Sequence, residues 1–247
     1  MKKKNSFKTK FLISIKNFQE ISEEITQNVD ILDLKDPSRG SIGAWQISEI
    51  RKTKLFLKSK INISATLGDI FDNYEFKEMA QKFDALNLNF VKFGLLSTSK
   101  NKLFEKLEII QSIKPKTNFV CVVFADQSTS LDRVMNELEL FKYYGVNTIL
   151  IDTFRKNKGD LMQICKIAFL KELIRKCKEI DINVGLAGGV KEYQIKRLIR
   201  LQPSIIGFRS AVCTQHCRDN KIDDSKIKRL SVYFKSPIKS AIETAGA

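Results

Sequence analysis

The sequence predicts a single α/β domain, an eight-stranded (β/α)8 TIM barrel, and three observations carry that prediction. Short β-branched and apolar runs alternate with segments of helical periodicity along the whole chain, the pattern of a parallel sheet with crossover helices. Eight such runs are present, joined by short loops, which favours a closed barrel over an open sheet. The length of 247 residues suits one barrel with one large core. No linker or low-complexity tract interrupts the pattern. Residues 1–247 are therefore read as one domain, with a flexible basic arm over about 1–9 and a loosely ordered tail over about 237–247.

Strand one is read over 10–14, followed by a short helix at 18–26. Strand two spans 30–34, and the polar loop after it carries Pro37, Gly40 and Gly43 into a helix over about 44–58. Strand three spans 61–67, closed by Gly68-Asp69, with its helix at 76–83. Strand four spans 90–93, and 100–113 is helical up to Pro115, which cannot continue a helix. Strand five spans 119–124. Leu131, Val134, Met135, Leu138, Phe141 and Tyr144 then hold the spacing of one amphipathic helix over 131–144, capped by Gly145. Strand six spans 148–151 and leads into a long helix over 160–180; strand seven spans 183–187, with its helix at 191–201. Strand eight spans 205–208, and 223–234 is the closing helix.

The net charge of +15 comes from 43 basic and 28 acidic side chains. The lysines are spread along the chain with no arginine cluster or aromatic-basic stripe, so they read as solvated helix faces and as recognition of small anionic substrates, not of nucleic acid. No apolar stretch approaches the roughly 20 residues a bilayer span needs. Met1-Lys2-Lys3-Lys4 has the look of a signal n-region, but the apolar run behind it is only Phe11-Leu12-Ile13. Five cysteines, odd in number and unevenly spaced, form no disulfide framework and fit a reducing cytoplasm.

Chemistry is expected where lysines and aspartates meet the ends of strands, because a barrel works at that face. Asp33 and Lys35 are two apart, so both can face the mouth, with the aspartate holding the lysine. Lys92 sits among Phe90, Val91 and Phe93, where desolvation would lower its pKa and make it a base or nucleophile. Asp152 and Lys156 repeat the theme on strand six. The glycine-containing loop with Ser41 suits phosphate oxygens, as do Gly188 and Gly189 after strand seven and Gly207 in strand eight, with Arg209 as an anion clamp. Cys213, His216 and Cys217 lack a fourth ligand nearby in sequence and are read as a plain loop, so no metal is expected. No Walker, nucleophile-elbow or dinucleotide motif is present, and no cofactor is expected.

Asp33-Leu34-Lys35-Asp36-Pro37, Gly40-Ser41-Ile42-Gly43-Ala44, Ser64-Ala65-Thr66-Leu67-Gly68-Asp69, Val91-Lys92-Phe93-Gly94-Leu95, Ala125-Asp126, Ile151-Asp152-Thr153 with Lys156, Leu186-Ala187-Gly188 and Gly207-Phe208-Arg209 occur in this order. Taken together the chain resembles the (5-formylfuran-3-yl)methyl phosphate synthases, which make the furan precursor of methanofuran-type coenzymes. The resemblance implies a barrel that condenses two molecules of glyceraldehyde 3-phosphate, losing phosphate and water. It implies Lys35 as the Schiff-base lysine and Lys92 as proton acceptor, supported by Asp33, Asp152 and Lys156. Ser41, Asp69, Asp126, Gly188, Gly189, Gly207 and Arg209 would line the substrate and phosphate sites. The partner implied is a small phosphorylated aldehyde, on a cytoplasmic homo-oligomer. The chain departs from the pattern at Phe154, Arg155 and Asn157, and at Ser210, where a glycine is expected. The residues leave two other readings open: a class I aldolase of the deoxyribose-phosphate type, and a basic nucleic-acid-binding protein whose affinity would fall steeply with salt.

Overall fold

The structure, a computed structural model, describes residues 8–70, 72–95, 100–155 and 158–235. Strands β1 (Lys10–Ile15), β2 (Ile31–Leu34), β3 (Asn62–Thr66), β4 (Phe90–Gly94), β5 (Asn118–Phe124), β6 (Thr148–Asp152), β7 (Asn183–Leu186) and β8 (Ile205–Phe208) pair in sequence order, all parallel. β8 returns to pair with β1 and closes the ring. Helices alternate with the strands, so the barrel expected from the sequence is the fold observed.

Alternation along each strand divides its side chains between two layers. Phe11, Ile13, Val91, Phe93, Cys121, Val123, Ile149 and Ile151 join the core that packs against the helices. Leu12, Ile31 and Ile205 form a separate inner cluster, and Val120, Val122, Phe124 and Leu150 another. Above this apolar filling the inner residues turn polar. Register places Ser14 opposite Asp33, Asp33 opposite Ser64, and Thr66 opposite Lys92. Phe124 pairs with Asp152.

Three predicted helices are broken in ways their periodicity could not reveal. The 131–144 segment is two helices, Ser128–Asn136 and Leu138–Tyr143, separated at Glu137 with φ −117° and ψ 23°. Val134, Leu138 and Phe141 stay buried across the break, so the apolar stripe reads as continuous. The 160–180 segment divides into two helices, Leu161–Ile164 and Ile167–Glu179, with Cys165 extended between them. Its start is fixed by a capping box of Asp160 and Gln163, and by Leu161 N–H donating to the Gly188 carbonyl at 2.7 Å. The 18–26 segment is a 3-10 turn at Phe18–Glu20, then a helix at Glu23–Asn28 capped by the Ser22 hydroxyl.

Residues 1–7 of the expected arm and the whole expected tail lie outside the described residues. Thr9 is buried and its hydroxyl donates to the Pro203 carbonyl at 2.8 Å, so the packed structure begins before residue 10. Among the described residues no helix is long and apolar enough to cross a membrane.

Candidate active site

Two lysine–aspartate pairs stand at the C-terminal end of the strands, each joining different parts of the ring. Lys92 Nζ on β4 lies 2.6 Å from Asp33 Oδ2 on β2. Lys35 Nζ, just past β2, lies 3.2 Å from Asp152 Oδ2 at the end of β6. Asp33 therefore holds Lys92, not its sequence neighbour Lys35, and Asp152 crosses the barrel to take Lys35. Both lysines line a cavity of about 390 Å³ that opens at this end.

Lys92 is 4% exposed and points inward, while Val91 and Phe93 point outward into the helix layer. Its surroundings are thus the barrel interior and not the two apolar residues that flank it in sequence. Burial pushes the Lys92 ammonium below the ordinary lysine range; Lys35 pushes the same way and the Asp33 carboxylate pulls back. The Ser14 hydroxyl donates to Asp33 Oδ2 at 2.7 Å. Asp33 Oδ1 is buried with no hydrogen-bond partner among the described residues, leaving an acceptor directed by the same carboxylate. The Thr153 N–H donates to Asp152 Oδ1 at 2.7 Å, which sets the carboxylate plane and leaves Oδ2 for Lys35. An amine beside a carboxylate in a cavity, with a second desolvated amine nearby, can add to a carbonyl and then move protons.

The other expected site residues divide in two. Gly188, Gly189 and Gly207 line the cavity. Gly188 has φ +99°, and a Cβ there would meet Thr153 Cγ2 at 2.8 Å and Thr153 N at 2.9 Å, so no side chain fits. The N–H groups of Gly188 and Gly189 have no acceptor in the backbone network of the described residues, which leaves them available to an anion. Asp69, Asp126 and Ser41 instead hold loops. Asp126 accepts from Phe154 N–H at 2.6 Å and Arg155 N–H at 2.7 Å, fastening the loop after β6. Asp69 lies against Gly40 and the amides of Ser41 and Ile42, with burial raising its carboxyl pKa and those amides opposing the rise. The Ser41 hydroxyl donates to the Phe154 carbonyl at 3.3 Å, tying the two loops together. Lys156 lies outside the described residues.

Arg209 reaches the cavity wall, but its guanidinium is spent on the protein. It makes two bonds to the Glu20 carboxylate, at 2.5 and 2.9 Å. Three more go to the carbonyls of Arg218 at 2.8 Å, Ser14 at 3.2 Å and Asn220 at 3.2 Å. Cys213 is buried with its thiol directed to the Arg209 carbonyl, whereas Cys217 is exposed, and among the described residues no group of three or more His, Cys, Asp or Glu side chains could hold a metal ion.

Sequence reasoning missed Ser14, the Asp160–Lys191 pair at 3.2 Å, and Arg218, all of which line the cavity. Ser14 carried a signal, being the one polar residue in Phe11-Leu12-Ile13-Ser14-Ile15. Asp160 and Arg218 carried none, because both reach the cavity through loop geometry.

The profile of the 4-HFC-P synthase family matches residues 11–231. The (5-formylfuran-3-yl)methyl phosphate synthase of Methanobrevibacter smithii is 30% identical over 82% of this chain and 88% of its own. The enzyme of that name from Archaeoglobus fulgidus is 28% identical over 83% and 90%. Among solved structures, 3-hexulose-6-phosphate synthase superposes with a TM-score of 0.61 at 15% identity, covering 92% of this chain and all of that one, a likeness of fold. With the family profile spanning the barrel from β1 to the last helix, this chain belongs to the 4-HFC-P synthase family.

Proposed function

We propose that the protein condenses two molecules of glyceraldehyde 3-phosphate into (5-formylfuran-3-yl)methyl phosphate through an iminium on Lys35, with loss of phosphate and water. The observation that carries this reading is the Lys35–Asp152 pair opening onto the cavity beside a second lysine held in low dielectric. The names of the relatives support it. Lys35 Nζ adds to the aldehyde carbon while Asp152 exchanges the protons that let water leave. The iminium acidifies the adjacent C–H, and Lys92, once it has given up its own proton, accepts that one, which Asp33 is placed to relay. The resulting enamine attacks the second aldehyde; a hydroxyl adds to the iminium carbon as the ring closes, the Lys35 amine is expelled, and eliminations of phosphate and water end in the aromatic ring. The positive charge of an iminium replaces that of the ammonium, so Asp152 regains a counter-ion whenever the iminium forms.

The test is incubation with glyceraldehyde 3-phosphate, following furan absorbance and released phosphate, with borohydride added in a parallel sample. Furan product and a substrate-sized mass on Lys35, absent from Lys35→Ala, are expected. An open-chain sugar phosphate without chromophore would assign the same lysine to an aldolase. An adduct formed equally in Lys35→Ala would remove Lys35 from the covalent role.

A further inference from the structure

We propose that Arg218 is the side chain of a phosphate-binding subsite in the cavity, and that Arg209 is the residue that positions it. The proposal deepens the reading above and rests on it for the identity of the phosphorylated aldehyde, but not for the binding of the anion.

Charge balance singles out Arg218. Among the described residues, five lysine and arginine side chains line the cavity: Lys35, Lys92, Lys191, Arg209 and Arg218. Four have carboxylate partners, namely Asp152, Asp33, Asp160 and Glu20. Arg218 is only partly exposed, and among the described residues its guanidinium has no ion pair and no hydrogen bond. A half-buried guanidinium without a counter-ion is a fork of donors suited to the oxygens of a phosphate.

The loop that carries Arg218 is held at many points. Arg209 Nε donates to the Arg218 carbonyl at 2.8 Å, and its Nη2 to the Asn220 carbonyl at 3.2 Å. The Thr214 N–H donates to the Lys221 carbonyl at 2.9 Å, and Cys213 bridges antiparallel to Ile222. The Asn220 amide donates to the Thr214 carbonyl at 3.2 Å, and the Lys16 ammonium to the Asp219 carbonyl. Within this frame Gln215 and His216 both have φ 53°, a left-handed conformation that residues with a Cβ adopt at a cost. Such strain persists only where the surroundings impose it, and it gathers at functional sites. Here it sits beside His216 and Arg218, both of which line the cavity. Two phosphorylated substrates need two anion sites. The Gly188 and Gly189 amides supply one, and Arg218 with His216 beside it supplies the other.

Inorganic phosphate is the probe, titrated calorimetrically into the wild-type protein, Arg218→Met and Arg218→Lys. Two saturable sites are expected in the wild type, of which one is about 10- to 100-fold weaker in Arg218→Met, with Arg218→Lys between them, while the glycine-amide site is unchanged in all three. Borohydride trapping on Lys35 adds a second readout: unphosphorylated glyceraldehyde should be captured equally by wild type and Arg218→Met, and glyceraldehyde 3-phosphate only at higher concentration by the variant. Equal phosphate affinity in all three proteins, or equal losses with both aldehydes, would overturn the subsite. Absence of furan product would overturn the synthase reading while leaving the phosphate comparison intact.

Discussion

The Lys35–Asp152 and Arg209–Glu20 pairs lie at the same end of the barrel and are almost equally buried, at 11% and 7% exposed against 13% and 7%. Burial and pairing therefore do not distinguish them; the donors left over do. Arg209 makes five hydrogen bonds, all to protein acceptors. Lys35 Nζ has three donors and one bond, to Asp152, among the described residues. The first is a closed joint between the end of β8, the turn after β1 and the last loop. The second faces a cavity with capacity to spare. The same contrast separates the carboxylates: Asp69 and Asp126 bind backbone amides and shape loops, whereas Asp33 and Asp152 bind lysines.

The largest effect that can test this contrast belongs to Lys92→Arg. Guanidinium keeps the positive charge beside Asp33 but does not release its proton at accessible pH. Turnover should fall about 10²–10⁴-fold, the usual reach of general base catalysis, while borohydride still captures substrate on Lys35. In the wild type the rate should rise with pH as Lys92 loses its proton, with a midpoint below the ordinary lysine value because burial disfavours the charged form. Near-normal furan output from the arginine variant would make Lys92 a fixed positive charge and nothing more.

Arg209→Met should act on stability first. It leaves the Glu20 carboxylate buried without its cation, at a cost of about 3 kcal/mol, read as a lowered midpoint in urea or heat. An unchanged midpoint with a raised KM would turn the closed joint into a substrate clamp and dissolve the contrast. The smallest effect is expected from Asp126→Asn, which retains one acceptor for the two amides of Phe154 and Arg155. A loss of about 1 kcal/mol and faster amide exchange at those two residues are expected. Exchange as slow as in the wild type would mean that other contacts hold the loop after β6.

The barrel was legible because each strand is an apolar run bounded by turns, and a closed parallel ring is what eight such units with short loops can build. Lys35, Lys92 and Asp152 stood out because charge at a strand end is unusual. Their pairing was not legible. Sequence proximity suggested Asp33 with Lys35, but register sends Asp33 inward to Lys92, and Lys35 finds its carboxylate 117 residues further on. Arg209 looked like an anion clamp because nothing in the sequence announces Glu20, 189 residues away, as its partner. The break at Glu137 was invisible for a simpler reason: the buried stripe continues through it.

The seam between β1 and β8 has a consequence for how the molecule is made. β1 is synthesised well before its partner β8, and Arg209 then bonds Glu20 and the Ser14 carbonyl across the joint. Until residues near 209 leave the ribosome, β1 has one unsatisfied edge of backbone N–H and C=O groups, and Arg218, which the subsite needs, has not been translated. The Ser14 hydroxyl bonded to Asp33 lies on that same edge strand. Ring closure and completion of the cavity thus wait on the same late segment of the barrel, and a nascent chain that stops short of it lacks the β1–β8 seam and the Arg218 side of the cavity.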